Sequence, residues 1–299
     1  MPEKKEIGGL LMQSWTSHPV FYPQKQATEK RLGRTLTTAE FLEQHFIPPT
    51  DDAYSSGTSI FDPVLTELAY RWFSPVGGTV LDPFAGGSVR GIVASKLGRQ
   101  YVGHELRPEQ VEANRLQAET ICAADEMPPV WVQGDSRNIH RTCADVRADM
   151  IFSCPPYADL EVYSDDPDDI STLDYSEFVP AYREIIARAA SLLLPDRFAC
   201  FVVGDVRDKR GNYYNFVGDT IEAFRAAGLH YYNEAILVTA VGSLPIRVGK
   251  QFSSSRKLGK THQNILVFVK GDGKAAAAAC GECQFGEIDA AEEFGEVME

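Results

Sequence analysis

The chain of 299 residues has no apolar run close to the roughly 20 residues that a membrane-spanning helix needs. Its first residues, MPEKKEIGGLL, lack the apolar core of a secretory signal. Cysteine is scarce, and the one CxxC, Cys280 to Cys283, has no second pair or histidine cluster beside it. We therefore predict no membrane span, no disulfide framework and no metal site, and we expect a cytoplasmic protein with reduced thiols.

Charge is unevenly distributed along the chain. The net charge of −13 argues weakly against a nucleic-acid partner. Residues 240–262 nevertheless contain no acidic residue, whereas residues 275–299 contain no lysine or arginine. The five basic residues of the first segment are Arg247, Lys250, Arg256, Lys257 and Lys260. The sequence thus combines a basic segment with an acidic C-terminus.

Between residues 59 and 271, segments typical of strands and helices alternate. Such alternation predicts a doubly wound, mostly parallel α/β sheet. Predicted strands cover 79–82, 100–105, 130–133, 150–153, 198–203, 231–240 and 264–270, and predicted helices cover 61–73, 89–97, 108–122, 175–194 and 216–227. No helix is predicted between the last two strands, so they should form an antiparallel hairpin joined by a basic loop.

Two flanking segments complete the predicted organisation. Residues 1–58 are polar and interrupted by prolines, and we predict a single helix there, over residues 38–45. This N-terminal extension could serve in recognition or oligomerisation. Residues 272–299 are predicted to be an acidic, flexible tail.

Three successive predicted strands end in residues suited to a nucleotide-like ligand. The glycine-rich turn Asp82-Pro-Phe-Ala-Gly-Gly-Ser88 follows the first strand and leads into a helix. Glu105 ends the second strand, where a carboxylate can accept hydrogen bonds from ribose hydroxyls. Asp135 follows the third, where it can accept from an adenine amino group. Because the turn lacks a phosphate-binding GxGxxG, these residues favour a cofactor without pyrophosphate over a dinucleotide.

Together with Cys154-Pro-Pro-Tyr157, the turn 82–88 resembles the S-adenosylmethionine-dependent DNA amino-methyltransferases, which methylate N6 of adenine or N4 of cytosine. The resemblance extends from about Phe61 to Lys270, with the cofactor half first, as in one permuted group of the family. The chain is also similar to methyltransferases encoded by phages and prophages. The resemblance implies the seven-stranded sheet of that family, S-adenosylmethionine as cofactor and double-stranded DNA as partner.

The resemblance also assigns residues. Phe61-Asp-Pro63 resembles the segment that covers the methionine end of the cofactor. The implied cofactor-binding residues are Phe61, Pro63, Asp82, Pro83, Phe84, Ala85, Gly86, Gly87, Ser88, Glu105, Leu106, Asp135 and Ser136. The implied catalytic residues are Cys154, Pro155, Pro156 and Tyr157. The basic segment is expected to grip the phosphate backbone, which positions DNA without reading its sequence.

The Pro-Pro-Tyr corner suits transfer to the exocyclic amine of a base. Two prolines fix φ near −65° and thereby fix the direction of the neighbouring carbonyls. Tyr157 offers a flat face for a base flipped out of the duplex. The family usually has Asp, Asn or Ser at the first position of the corner, whereas Cys154 is a poor acceptor. Backbone carbonyls or an acid such as Asp159 or Glu161 could replace it, while Ser153 should face the other way.

The sequence leaves several alternatives open. The acids at 165, 166, 168 and 169 could form a solvated loop on the side away from DNA, or a lid that pairs with residues 247–260. They could also indicate a substrate that is not a polyanion. Asp205 could support the site or merely close a turn. The alternatives to a DNA methyltransferase are an RNA base amine methyltransferase and a non-catalytic regulator that binds cofactor or DNA. A homodimer, in which a second subunit helps to read DNA, is also left open.

Overall fold

The computed structural model describes residues 21–37, 40–41, 45, 61–124, 126–157, 162–238 and 244–283. The chain divides into two compact units: residues 1–59 together with 240–261, and residues 60–239 together with 262–299. The first unit contains helices α1 (Phe21–Leu32) and α8 (Leu244–Ser255) in its described part.

The second unit is built around a seven-stranded sheet. Its elements are α2 (Pro63–Phe73), β1 (Thr79–Asp82), α3 (Val89–Lys96), β2 (Gln100–Glu105), α4 (Pro108–Ile121), β3 (Val130–Gln133), α5 (Ile139–Thr142), β4 (Ala148–Ser153), α6 (Tyr175–Leu192), β5 (Leu193–Val203), α7 (Phe216–Ala226), β6 (His230–Val238), β7 (His262–Lys270) and α9 (Gly273–Cys280).

The strand order is β3-β2-β1-β4-β5-β7-β6. The first five strands pair in parallel, and β7 pairs antiparallel with both β5 and β6. The predicted doubly wound sheet with an antiparallel C-terminal hairpin is confirmed. Ligands of such sheets lie beyond the carboxyl ends of the parallel strands. Because β7 runs in the opposite direction, its first residues, rather than its last, lie at this edge.

Alternating side chains of the strands form a separate core on each face of the sheet. Leu81, Ile151 and Phe201 pack with residues of α6 and α7 on one face. Val80 and Phe152 pack with residues of α2, α3, α4 and α9 on the other. This two-sided burial explains why the central strands read as nearly continuous apolar runs.

Four helices of the described residues were not predicted from the sequence: α1, α8, α9 and the four-residue α5. Helix α1 has no apolar stripe, and its Lys25–Glu29 pair at 2.5 Å links adjacent turns instead. Helix α8 occupies the segment predicted as a basic loop. There Leu244, Val248 and Phe252 recur at helical spacing, and Pro245 is tolerated in the first turn.

Helix α9 replaces the beginning of the predicted flexible tail. Asp272 caps it by accepting from the backbone N–H of Ala275 at 2.8 Å, and Ala276 is buried against the sheet. Residues 284–299 lie outside the described residues. The helix predicted over 38–45 lies mostly outside them too, although Thr37 Oγ1 accepts from Glu40 N at 3.2 Å, as expected of its cap.

A buried histidine joins β2 to the segment that follows β3. The ring nitrogens of His104 lie 3.1 Å from Ser136 Oγ and 2.8 Å from Thr142 Oγ1. Burial lowers the pKa of His104 from 6.5 to about 4, although the nearby carboxylate of Asp135 acts in the opposite direction. The folded protein therefore holds this ring neutral.

We expect the free energy of unfolding to fall as pH drops from 6.5 to 4. In that window the unfolded chain binds a proton that folded His104 excludes, so acid favours unfolding by up to about 3 kcal/mol, and the loss levels off below pH 4. Denaturant unfolding at several pH values should show a shallower pH slope for His104→Gln. The exposed His230→Gln is the control, and equal slopes for wild type and His104→Gln would contradict the assignment.

Candidate active site

The turn 82–88 between β1 and α3 is organised by one buried carboxylate. Asp82 is fully buried, and its Oδ1 accepts from Phe84 N at 3.1 Å and from Ser153 Oγ at 2.5 Å. Its Oδ2 accepts from Arg90 Nε at 2.6 Å and from Tyr101 Oη at 2.8 Å. Asp82 therefore shapes the predicted cofactor turn from within, and its oxygens are occupied by protein donors.

Arg90, which sequence reasoning missed, completes this arrangement. Its Nη2 donates to the carbonyls of Phe84 at 2.7 Å and Ala85 at 2.9 Å. Burial acts to lower the pKa of the guanidinium, but the Asp82 carboxylate together with Tyr101 and Cys154 raises that pKa above its usual value. The signal in the sequence is an arginine at the second position of the helix that follows the glycine-rich turn.

The two central glycines of the turn leave open space. Gly86 has φ of +51°, and a Cβ added at Gly86 or Gly87 would meet no atom within 4 Å. Asn114 Nδ2 holds the carbonyl of Gly86 at 2.7 Å. By contrast, Phe84 packs into the core near Tyr182, with ring centroids 5.9 Å apart. The backbone of this turn, rather than its side chains, is thus the part that can approach a ligand.

The buried carboxylate of Glu105 lies directly beside the turn. Oε2 accepts from Gly86 N at 2.9 Å, and Oε1 accepts from Arg107 N at 3.0 Å. Burial raises the pKa of this carboxyl above its ordinary value, although the hydrogen bonds from Arg107 and Gly86 act to lower it. Oε1 also lies 3.5 Å from Arg107 Nε, whereas Oε2 can accept a further hydrogen bond, so an additional donor such as a ribose hydroxyl would offset the desolvation of this carboxylate.

The residues after β3 are tied to the same turn. Ser136 Oγ donates to the carbonyl of Pro83 at 2.6 Å. Asp135 accepts from the backbone and the guanidinium of Arg137, both at 2.8 Å, and Arg137 also pairs with Asp168 at 2.6 Å. The acidic segment around Asp168 therefore lies by Asp135, not on the far side of the sheet.

Phe61, Pro63, Ser88 and Leu106 are the other predicted cofactor residues with described contacts. Phe61 packs edge-on against Phe152, with Arg90 Cζ 4.6 Å from the centroid of its ring. Pro63 begins α2, behind the capping carboxylate of Asp62. Ser88, almost fully buried, hydrogen-bonds with Gln117, and the carbonyl of Leu106 accepts from Gln133 Nε2 at 3.4 Å.

The corner 154–157 follows β4 and is linked to the turn through Ser153. Ser153 is fully buried and donates to Asp82, which confirms that it faces away from the corner. Pro155 is buried, while Cys154, Pro156 and Tyr157 are half-buried. Cys154 Sγ lies 3.9 Å from Tyr157 Oη, and the ring of Tyr157 packs edge-on against Phe216 with centroids 5.7 Å apart.

Gln263, at the start of β7, also contacts this corner. It was not among the site residues predicted from the sequence. Its Nε2 donates to Tyr157 Oη at 2.6 Å. Because β7 is antiparallel, this residue lies opposite the end of β5, where a Cβ added to Gly204 would meet both Gln263 and Tyr157. Burial raises the pKa of Tyr157, so the phenol is neutral near pH 7 and is not a general base.

Asp205, two acids that follow the corner and the five basic residues were also singled out in the sequence. Asp205 Oδ1 accepts from Val217 N, in the first turn of α7, at 3.4 Å. Asp159 and Glu161 lie outside the described residues. The five basic residues Arg247, Lys250, Arg256, Lys257 and Lys260 belong to the first unit. Of these, Arg256 is exposed and lies over Phe252 at 5.1 Å, whereas the side chains of Arg247 and Lys250 are not described.

The sequence predicts no metal site, no membrane span and no disulfide framework. Within the described part of the chain, no group of three or more metal-ligating side chains lies together, and no helix is long and apolar enough to cross a membrane. None of the six cysteines, all of which are described, is in a disulfide. Cys280 is on α9, and Cys283 Sγ lies 3.9 Å from the carbonyl of Arg71.

Residues 19–116 match the N6_N4_Mtase family, described as DNA methylase. The match covers about a third of the chain and includes the turn 82–88 and Glu105. It supports the resemblance to S-adenosylmethionine-dependent amino-methyltransferases. It also supports S-adenosylmethionine as the cofactor, which the open glycine turn and the buried carboxylate of Glu105 fit. A phage origin stays a prediction.

No curated protein matches the chain. Among solved structures, a TehB-like methyltransferase from Corynebacterium glutamicum is 18% identical with a TM-score of 0.42, over 72% of this chain and 91% of that one. A putative rRNA methylase from Clostridium thermocellum is 12% identical with a TM-score of 0.46, over 71% and 100%. Magnesium protoporphyrin IX methyltransferase from Synechocystis, with bound SAM, is 11% identical with a TM-score of 0.46, over 83% and 97%. Likenesses this weak carry no argument about substrate.

We expect Glu105→Ala to weaken S-adenosylmethionine binding by about 1–3 kcal/mol, because a charged acceptor is lost. Glu105→Gln should lose less, since its amide oxygen can still accept from Gly86. Asp135→Ala should also weaken binding, and the exposed Glu109→Ala should not. Titration calorimetry measures all four. Wild-type affinity in both Glu105→Ala and Asp135→Ala would rule out these two residues as cofactor ligands.

Proposed function

We propose that this protein transfers a methyl group from S-adenosylmethionine to the exocyclic amine of a DNA base, adenine N6 or cytosine N4. The observation that carries the proposal is the hydrogen bond from Ser153 to Asp82, which joins the Cys154–Tyr157 corner to the cofactor turn. A methyl acceptor held at the corner would thus lie beside a cofactor held at the turn. The family match over residues 19–116 supports DNA as the substrate.

The chain's own residues would orient the target amine. When bound, the cofactor supplies a methyl group on a positively charged sulfur. The amine's lone pair is delocalised into its ring, so the amine must be drawn towards tetrahedral geometry before it can attack. Acceptors in fixed positions do this by holding the amine hydrogens, and the carbonyls of Cys154 and Pro155 are fixed by the two prolines.

Tyr157 would hold the flipped base, and Gln263 would hold Tyr157. Stacking of a base on an aromatic ring is worth about 1–3 kcal/mol. The 2.6 Å hydrogen bond from Gln263 and the contact with Phe216 fix the position of this ring before any base arrives. In this proposal the weak acceptor at Cys154 is tolerated because the backbone and the ring hold the base.

The basic segment 247–260 is proposed to contact phosphates and so to supply affinity without sequence readout. Two alternatives remain: a methyltransferase for RNA base amines, which would use the same corner, and a regulator that binds cofactor or DNA without turnover. A second subunit could share in recognition of DNA. Transfer to DNA but not RNA separates the main proposal from both alternatives.

Single-turnover transfer of labelled methyl to mixed-sequence DNA, with RNA in parallel, tests this function. We expect Tyr157→Ala to lower transfer roughly ten- to a hundred-fold, because the stacking face is lost. Gln263→Leu should cost less, since the ring remains but is less well held. Cys154→Ala should also cost less than Tyr157→Ala, because the backbone carbonyl and both prolines are retained.

Cofactor affinity serves as the control for each variant, since none of the three residues is assigned to the cofactor. If Cys154→Ala abolishes transfer while cofactor and DNA binding are normal, the thiol is essential and the backbone account is wrong. Transfer to RNA alone, or cofactor binding without transfer to either nucleic acid, would overturn the proposed function.

A further inference from the structure

The segment between β5 and α7 forms a small basic hairpin, residues 206–214, beside the corner. Arg207 pairs with Tyr213 across it, Asp208 N donates to Asn212 O at 2.8 Å, and Tyr214 N donates to Val206 O at 2.8 Å. The hairpin follows the carboxyl end of β5. Because β4 and β5 are parallel, this end lies at the same edge of the sheet as Cys154, which follows β4.

The tip of the hairpin is held rigidly. Gly211, with φ of +90°, donates from its N–H to the carbonyl of Asp208 at 2.8 Å, and the Asp208 carboxylate accepts from Asn212 N at 2.8 Å. The hydrogen bond from Asn212 contributes most to holding the pKa of Asp208 below its ordinary value, so the carboxylate is charged and engaged by the backbone. Binding a ligand at this tip would therefore order little additional chain.

This rigid tip presents two cations to solvent. Lys209 and Arg210 are both exposed, and neither forms a salt bridge within the described part of the chain. They also line an open cavity of about 250 Å³ with Asp174, Asp208 and Tyr214. The lining of this cavity thus combines the two cations with two carboxylates.

The same hairpin also carries an exposed aromatic ring, that of Tyr213. Arg207 Cζ is 3.7 Å from the centroid of the Tyr213 ring, and Arg207 Nη1 donates to the carbonyl of Gly211 at 2.8 Å. The Tyr213 side chain is still 47% exposed. A cation beside an exposed aromatic ring is the combination that binds the phosphates and flat bases of nucleic acids.

The hairpin is anchored to the corner at its base. Tyr214 stacks on Tyr175 with centroids 4.0 Å apart, and Phe216 contacts the ring of Tyr157. We propose that the basic hairpin is a DNA-contacting element of the catalytic unit, in which Lys209 and Arg210 bind phosphates and Tyr213 stacks on an unpaired base next to the target. This inference rests on the proposed function and adds a contact that is distinct from residues 247–260.

The test is the salt dependence of binding to a mixed-sequence duplex, with S-adenosylhomocysteine present so that no methyl is transferred. Each lost phosphate contact lowers the slope of log K against log salt by about 0.9. The double variant Lys209→Ala/Arg210→Ala should therefore lower the slope by about 2. The matched control is Arg141→Ala/Arg147→Ala, two exposed arginines before β4, which should leave the slope unchanged.

Lys209→Gln/Arg210→Gln repeats the test with side chains of similar length, and unchanged cofactor affinity shows that either variant is folded. Tyr213→Ala should weaken binding to DNA that contains an unpaired base by roughly ten-fold or more, whereas Tyr213→Phe should not. If wild type binds the duplex and both charge variants keep its slope, the hairpin does not contact DNA, although the proposed function stands. If wild type binds only RNA, or no nucleic acid, the proposed function fails and this inference fails with it.

Discussion

The buried carboxylate of Asp82 is the interaction on which the site depends. It pairs with Arg90, accepts from Tyr101 and Ser153, and caps the turn at Phe84 N. Removing one partner of such a buried pair typically costs about 3–5 kcal/mol, because the other charge is left uncompensated. This one group connects β1, β2, β4 and α3, and so fixes the cofactor turn and the corner in one arrangement.

Much of the fold could be predicted from the sequence because local and tertiary preferences agree. The strands 79–82, 100–105 and 130–133 were predicted with their observed bounds, since each is a short apolar run that ends in a polar turn. Helices α1 and α9 were missed because they lack the long apolar stripe that periodicity detects, and a side-chain pair and an aspartate cap stabilise them instead. Helix α8 has apolar residues at helical spacing but was predicted as a loop, because it also contains a proline, a glycine and three serines.

The site was predictable only in part. Sequence reasoning singled out the turn and the corner because each is a contiguous motif, and Glu105 because it ends a predicted strand. It missed Arg90 and Gln263, whose roles arise from tertiary contacts: Arg90 reaches back to Asp82, and Gln263 reaches Tyr157 across 106 positions. It also assigned Asp82 and Phe84 to the cofactor, which stays a prediction: Asp82 is fully buried, and the ring of Phe84 packs near Tyr182.

The central claim is that a base amine of DNA receives the methyl group. DNA treated with the purified protein and S-adenosylmethionine carrying a labelled methyl can be digested to nucleosides and analysed by chromatography and mass spectrometry. The account predicts label in N6-methyldeoxyadenosine or N4-methyldeoxycytidine. Label on a ring carbon, or no label in DNA while the cofactor binds, would contradict it.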